Sequence, residues 1–191
     1  MKTHIPSLEF SHFPVMMSEV IKISSPSKGG SFIDCTFGGG SYSNELLKFP
    51  KTKVIGIDRD PAVISTAKKL KQKYKNRFQF YHLKFSQLEK ALKNKKADLI
   101  VFDLGISSIQ LNNLERGFSF KSREKLDMTM GLTNISAEEV VNNLNEDQLK
   151  LIIKVLGEER DASRIAKNIV KARSVKKITR VYELVKIIEQ S

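Results

Sequence analysis

Short apolar runs alternate with amphipathic stretches along the chain, in a regular order. Val15, Met16, Val20 and Ile23 recur at helical spacing and predict a short helix, opened by Pro14 and running to about Ile23. Lys28-Gly29-Gly30 turns the chain into Ser31–Thr36, a predicted strand that ends in Phe37-Gly38-Gly39-Gly40. Tyr42–Phe49 predicts a helix with Leu46 and Leu47 inward, and Lys53–Asp58 a second buried strand. Asp60 is placed to cap the next helix, with Pro61 at its first position. Val63, Ile64, Ala67 and Leu70 give that helix an apolar face, and its lysines point outward. Phe78–Leu83 predicts a third strand, Ser86–Leu92 a short helix, and Ala97–Asp103 a fourth strand. That last run is continuously apolar, as in the middle of a parallel sheet.

Strand, crossover helix and strand, three times over, predict an α/β fold built on a doubly wound parallel sheet. After Asp103 the pattern changes. Residues 104–135 are loop-like, with Gly105, Gly117, Gly131 and several Ser and Asn. From Ser136 onward the periodicity is helical, over 137–143, 146–156, 159–173 and 180–189. Ser136 with Glu139 forms a capping box, Asn145 with Gln148 resembles another, and Thr179 suits the cap of the last helix. The expected division is a strand-bearing part, 1–112, and a loop plus helical part, 113–191. The fourth strand is too apolar for a comfortable sheet edge. No later segment reads as a strand to cover it, so either helices cover it or further strands lie outside this chain.

Composition narrows the classes. The 191 residues are 40% hydrophobic and 28% charged, a globular balance. No run approaches the ~18 apolar residues of a spanning helix, and the first ten residues lack the apolar core of a signal peptide. Cys35 alone excludes an internal disulfide. With His4, His12 and His82 scattered, a zinc cluster is not expected. The expected compartment is the reducing cytoplasm. The formal charge is +12; residues 1–100 carry 18 Lys+Arg against 8 Asp+Glu, and residues 101–191 carry 15 against 13. Such clustering suits a polyanion, nucleic acid above all. The plainer reading, solvated helix faces, draws on the excess of lysine over arginine.

Three constellations can carry chemistry. Asp34, Gly38, Gly39, Gly40 and Asp58 follow the first two strands. A glycine turn lets a ligand approach the backbone, and an acid at the end of the second strand suits a ribose hydroxyl pair. Together they point to an adenosine-containing cofactor, NAD or S-adenosylmethionine. Ser43 stands where the dinucleotide pattern needs its third glycine, which weakens NAD. Asp103, followed by Leu-Gly-Ile-Ser-Ser-Ile-Gln110, lies at the carboxyl end of the fourth strand, where open sheets bind ligands. Arg116, Phe118 and Phe120 sit in a Gly/Ser loop, either as a base-stacking surface or as core anchors of a long loop.

These segments resemble the ribosomal small subunit methyltransferase H family, S-adenosylmethionine-dependent rRNA cytosine-N4 methyltransferases. The matching stretches include His12-Phe-Pro-Val-Met-Met-Ser-Glu19, Phe32–Ser43, Gly56-Ile-Asp-Arg-Asp-Pro61, Phe102–Gln110, Glu115-Arg-Gly-Phe-Ser-Phe120, Leu126-Asp-Met128 and Gly157-Glu-Glu-Arg160. The resemblance implies a Rossmann-like class I methyltransferase core with an all-helical insertion. It implies cofactor contacts at Gly40, Ser41, Tyr42, Asp58, Phe85, Asp103 and Gln110, with Asp58 on the ribose; Gly38 of the glycine turn joins the expected cofactor contacts, and Asp103, near both cofactor and amine, is the expected catalytic residue. His12, Arg116, Phe118 and Phe120 are the candidate RNA or base contacts, and no metal is expected. The implied substrate is a cytosine in the decoding region of 16S rRNA within the small subunit. Ser41 replaces a family glycine, and Leu126-Asp-Met-Thr-Met-Gly131 lacks the arginine and final acid of the family's LDMRMD motif. The family's last sheet strands have no counterpart before Ser191, so a chain shortened at its C-terminus is expected, and with it a binding fragment as an alternative to an enzyme. A nicotinamide-dependent oxidoreductase is the other alternative.

Overall fold

A computed structural model describes residues 15–93, 95–132 and 135–191. Its contacts divide the chain into two units, one made of Met1–Asp58 with Ala62–Leu104 and one of Arg59–Pro61 with Gly105–Ser191.

The first unit is an α/β sheet of four parallel strands: β1 (Gly30–Asp34), β2 (Thr52–Asp58), β3 (Phe78–His82) and β4 (Leu99–Val101), in the order β3-β2-β1-β4. Helices α1 (Met17–Ser24), α2 (Ser41–Leu47), α3 (Ile64–Tyr74) and α4 (Leu88–Leu92) accompany them. Strand period two sorts the core. Phe32, Val54 and Phe78 stand in one register row and are buried. The opposite face buries Ile33, Cys35 and Ile57 against Ala91 of α4. The chain grows outward from β1 to β3, then returns to place β4 on the other side of β1. The switch point therefore lies between β1 and β4, where ligand crevices open at the carboxyl ends.

β4 departs from expectation. It spans three residues rather than seven, and among the described residues it is an edge that pairs only with β1. Its Ile100 is 39% exposed and Phe102, just beyond, 47%. Apolar character signalled burial, and the topology leaves that flank open.

The second unit is helical: α5 (Ser108–Asn112), α6 (Ala137–Asn143), α7 (Glu146–Leu156), α8 (Ala162–Val175) and α9 (Val181–Glu189). Leu126, Val141, Leu149, Ile165, Ala166 and Ile169 are among its buried core. The boxes at Ser136/Glu139 and Asn145/Gln148 both form. A third, Ser107 with Gln110, opens α5 inside the stretch expected to be loop. α8 begins later than expected because the chain turns at Glu158, whose φ is +52°. Thr179 is not the cap of α9. Arg180 holds that position, and the Glu183 carboxylate accepts the N–H groups of both Thr179 and Arg180. Lys176 foremost, then those N–H groups, holds the Glu183 carboxyl down to about 2. Among the described residues no helix is long and apolar enough to cross a membrane.

Candidate functional site

In the first unit, the carboxyl ends of the strands gather Asp34, Asp58 and Asp103. Hydrogen bonds order the turn after β1: Phe37 N–H donates to the Ile57 carbonyl (3.0 Å), Gly40 N–H to the Phe37 carbonyl (2.7 Å), and Gly38 N–H to Asp58 Oδ2 (2.8 Å). Gly40 has φ +76°, and a Cβ there would lie 2.7 Å from Phe37 Cζ. Phe37 itself is buried, edge-on to Phe80 at 5.2 Å. The turn is thus built over an aromatic ring, and Asp58 ties β2 to it.

Asp34 is fully buried. Its Oδ2 accepts the Ser43 hydroxyl at 2.8 Å, while Oδ1 has no hydrogen-bond partner among the described residues. Burial raises its carboxyl from 3.8 to about 6, and the nearby charge of Asp58 adds to the rise. The Cys35 thiol is pushed up to about 11 by burial and by Asp34. Tyr42 donates its hydroxyl to the Val15 carbonyl. Burial first, then the negative charges of Asp103 and Asp34, raise its phenol. Ser41 opens α2 beside it and is partly exposed.

Asp103 is exposed, and its N–H donates to Thr36 Oγ1 at 2.8 Å. Phe85 follows β3, yet its ring meets Phe102, which follows β4, edge-to-face at 5.7 Å. Both rings are nearly half exposed. Phe102 did not figure among the sequence candidates; the available signal was an aromatic residue immediately before the acid that ends an apolar strand.

Gln110, Arg116, Phe118 and Phe120 belong to the second unit. Gln110 is buried, and both ends of its amide are engaged: Oε1 accepts Ser107 N–H at 2.9 Å and Nε2 donates to Asp60 Oδ2 at 2.8 Å. Arg116 donates to the same Asp60 oxygen at 2.6 Å and to the Thr129 carbonyl at 2.6 Å, with its guanidinium over the Phe118 ring. Phe120 is 73% exposed. His12 lies outside the described residues. Gly131, where the family pattern has an acid, has φ +70°; a Cβ there would lie 2.5 Å from Pro61 Cδ and 2.6 Å from the Arg59 carbonyl oxygen.

The sheet edge can hold a cationic ligand that carries a flat ring. The exposed Asp103, the half-buried Asp58 and two exposed phenylalanines offer it charge and stacking, whereas the pyrophosphate of a dinucleotide would meet those carboxylates.

Residues 9–191 match the MraW methylase family. The chain is 43% identical over 180 residues to the ribosomal RNA small subunit methyltransferase H of Rickettsia prowazekii (strain Madrid E), covering 94% of this chain and 59% of that protein. It is 45% identical over 181 residues to the protein of the same name from Orientia tsutsugamushi (strain Boryong), covering 94% and 58%. The chain thus spans about three-fifths of the length of the curated relatives it matches. By the match over residues 9–191, this chain belongs to the MraW methylase family.

Proposed function

We propose that the chain carries the S-adenosylmethionine-binding part of an rRNA methyltransferase that modifies N4 of a cytosine in the decoding region of 16S rRNA, within the small ribosomal subunit in the cytoplasm. The observation that carries this reading is the clustering of Asp34, Asp58 and Asp103 with the exposed Phe85–Phe102 pair at one sheet edge. In it, the strand-bearing unit is the cofactor-binding core, and the helical unit is the insertion; the boundary expected after residue 112 falls after Leu104 in the contacts, with Arg59–Pro61 grouped with the helical unit.

Gly38, Gly40, Ser41 and Tyr42 would line the cofactor's amino acid end, Asp58 its ribose, and Phe85 its adenine. The bound cofactor supplies an electrophilic methyl group on a sulfonium. The protein's task is orientation. The exocyclic amine of cytosine is a poor nucleophile because its lone pair is conjugated into the ring. The Asp103 carboxylate, accepting an amine N–H, turns that lone pair outward and is ready to take the proton. The base must leave its stack to reach such an edge. Phe120, largely exposed on the second unit, is an RNA-contacting ring. Arg116 and Gln110 serve by holding Asp60 and the segment after Asp58, with Phe118 beneath the guanidinium.

Two measurements test this. Calorimetry is expected to show binding of S-adenosylhomocysteine and none of NAD; the reverse result sinks the cofactor assignment. Labelled methyl transfer to small subunits from a strain lacking the modification is expected for the unsubstituted chain and to fall at least tenfold in Asp103→Asn, with cofactor affinity kept. A second reading, binding without methyl transfer, is favoured by the unpaired flank of β4; cofactor binding with no labelled product selects it.

A further inference from the structure

Eight of the first unit's seventeen basic residues lie in connections at one end of its sheet. Four connections lead into the amino ends of the strands: residues 25–29, 48–51, 75–77 and 93–98. Lys28, Lys48, Lys51, Lys75, Arg77, Lys93, Lys95 and Lys96 lie in them, against a single acid, Asp98. Asp98 Oδ2 accepts the Ser31 N–H at 2.7 Å and closes the start of β1. The opposite ends carry Asp34, Asp58 and Asp103. In parallel strands every connection of one type falls at the same end, so a bias in the helix-to-strand connections becomes a charged edge.

Two of these groups have structural duties. Arg77 donates to the carbonyls of Leu47 and Phe49 at 3.0 Å and closes the end of α2. Lys48 pairs with Glu45 at 2.5 Å. Lys53, Lys95 and Lys96 are different. They are exposed and have no carboxylate partner among the described residues, and they rim one cavity. Its walls include Ile33, Ile55, Leu92 and Ala97. Basic groups around an apolar wall offer what a nucleotide asks for, ammonium groups for the phosphate and a dry face for the base. Like-charged lysines that surround an apolar hollow repel one another, and a polyanion removes that repulsion.

We propose that this amino-end edge is a second RNA-contacting surface, where Lys53, Lys95 and Lys96 hold phosphates of the substrate rRNA roughly 20 Å from the carboxylate edge, the length of a seven-residue strand. The inference rests on RNA being the substrate. It separates grip from chemistry: the base is taken at the acidic edge, and affinity comes from phosphates several nucleotides away.

The test is fluorescence anisotropy with a labelled 16S decoding-region RNA, across a series of salt concentrations, on the whole chain. Lys53→Gln/Lys95→Gln/Lys96→Gln is expected to weaken binding at least tenfold. The slope of log K against log salt should fall by about 2, three single-strand phosphate contacts at roughly 0.7 each. S-adenosylhomocysteine affinity and the thermal melt should not change. Lys150→Gln/Lys154→Gln/Lys167→Gln removes the same charge from exposed positions of α7 and α8 and should leave affinity and slope as they were. Equal losses in the two triples, or an unchanged slope in the first, overturn the inference while the methyltransferase reading stands. Failure of the unsubstituted chain to bind the RNA overturns both, and cofactor binding then tells whether a methyltransferase of another substrate is left.

Discussion

Asp34 offers a test with a defined sign. It is a buried carboxyl with one oxygen unpartnered, raised from 3.8 to about 6. At neutral pH the folded chain therefore holds an ionised group that it would rather protonate. The rise corresponds to about 3 kcal/mol of lost stability at pH 7–8, by 1.36 kcal/mol per tenfold change. The sign follows from the direction. A carboxyl raised in the folded state contributes stability in full below about pH 4, and that contribution is lost as pH rises through 6. Asp34→Asn cannot titrate. Its neutral amide can still accept the Ser43 hydroxyl, and any fixed cost of placing Nδ2 at the unpartnered position is the same at every pH. The difference in unfolding free energy between Asp34→Asn and the unsubstituted chain should therefore shift toward the substituted chain by about 2 kcal/mol between pH 4.5 and pH 8. Urea unfolding, followed by circular dichroism at half-unit pH steps, measures it. A difference that stays flat across that range would refute the assignment of an ionised, desolvated Asp34. A cationic ligand bound at the carboxyl ends of the strands should reduce the pH dependence, because its field favours the ionised Asp34.

Other outcomes follow from individual contacts. Arg116→Met should cost about 3 kcal/mol in a thermal melt, because it removes the cation from the nearly fully buried Asp60 carboxylate and leaves only neutral donors such as the Gln110 amide there. Arg116→Lys should recover little, since a lysine cannot serve Asp60 and the Thr129 carbonyl together. Gly40→Ala should lose roughly 1–3 kcal/mol and weaken cofactor binding, from its φ of +76° and the Phe37 ring behind it. Asp58→Ala should lower S-adenosylhomocysteine affinity at least tenfold by calorimetry; unchanged affinity removes its ribose role. Asn145→Ala should cost about 1 kcal/mol through loss of the cap of α7, with cofactor affinity untouched.

What the sequence revealed depended on how local the determining physics was. β1, β2 and β3 lie within two residues of their expected bounds because period-two burial and the glycine turns are local signals. The capping boxes at Ser136 and Asn145 were equally legible, and the one at Ser107 carried the same signature inside a segment read as loop. Asp60 shows the limit. In sequence it is a helix cap before a proline, and in the fold its oxygen receives Arg116 from 56 positions away. The Phe85–Phe102 contact joins residues after β3 and β4, strands at opposite edges of the sheet, and no periodicity reports such a meeting. β4 was read too long, because apolar composition marks what a strand needs covered, whereas its pairing with β1 spans only Leu99–Val101.

The glycine turn, the most conspicuous motif in the sequence, has less discriminating power than the acids around it. Gly40 is required by the Phe37 ring beneath it whether or not a ligand is present. Gly38 needs only the Asp58 carboxylate to close the turn. Such a turn would suit either NAD or S-adenosylmethionine. Carboxyl groups discriminate by charge. The charge of Asp58 raises the cost of ionising Asp34, and the Tyr42 phenol senses both Asp34 and Asp103. Natural sheets tolerate that repulsion where a bound positive charge relieves it. The acidic edge therefore argues for a cationic cofactor, and the lysine edge at the other end of the same strands argues for an anionic macromolecule. With both charges on one edge they would largely neutralise each other. The strand length keeps them apart and leaves each field free to act on its own partner.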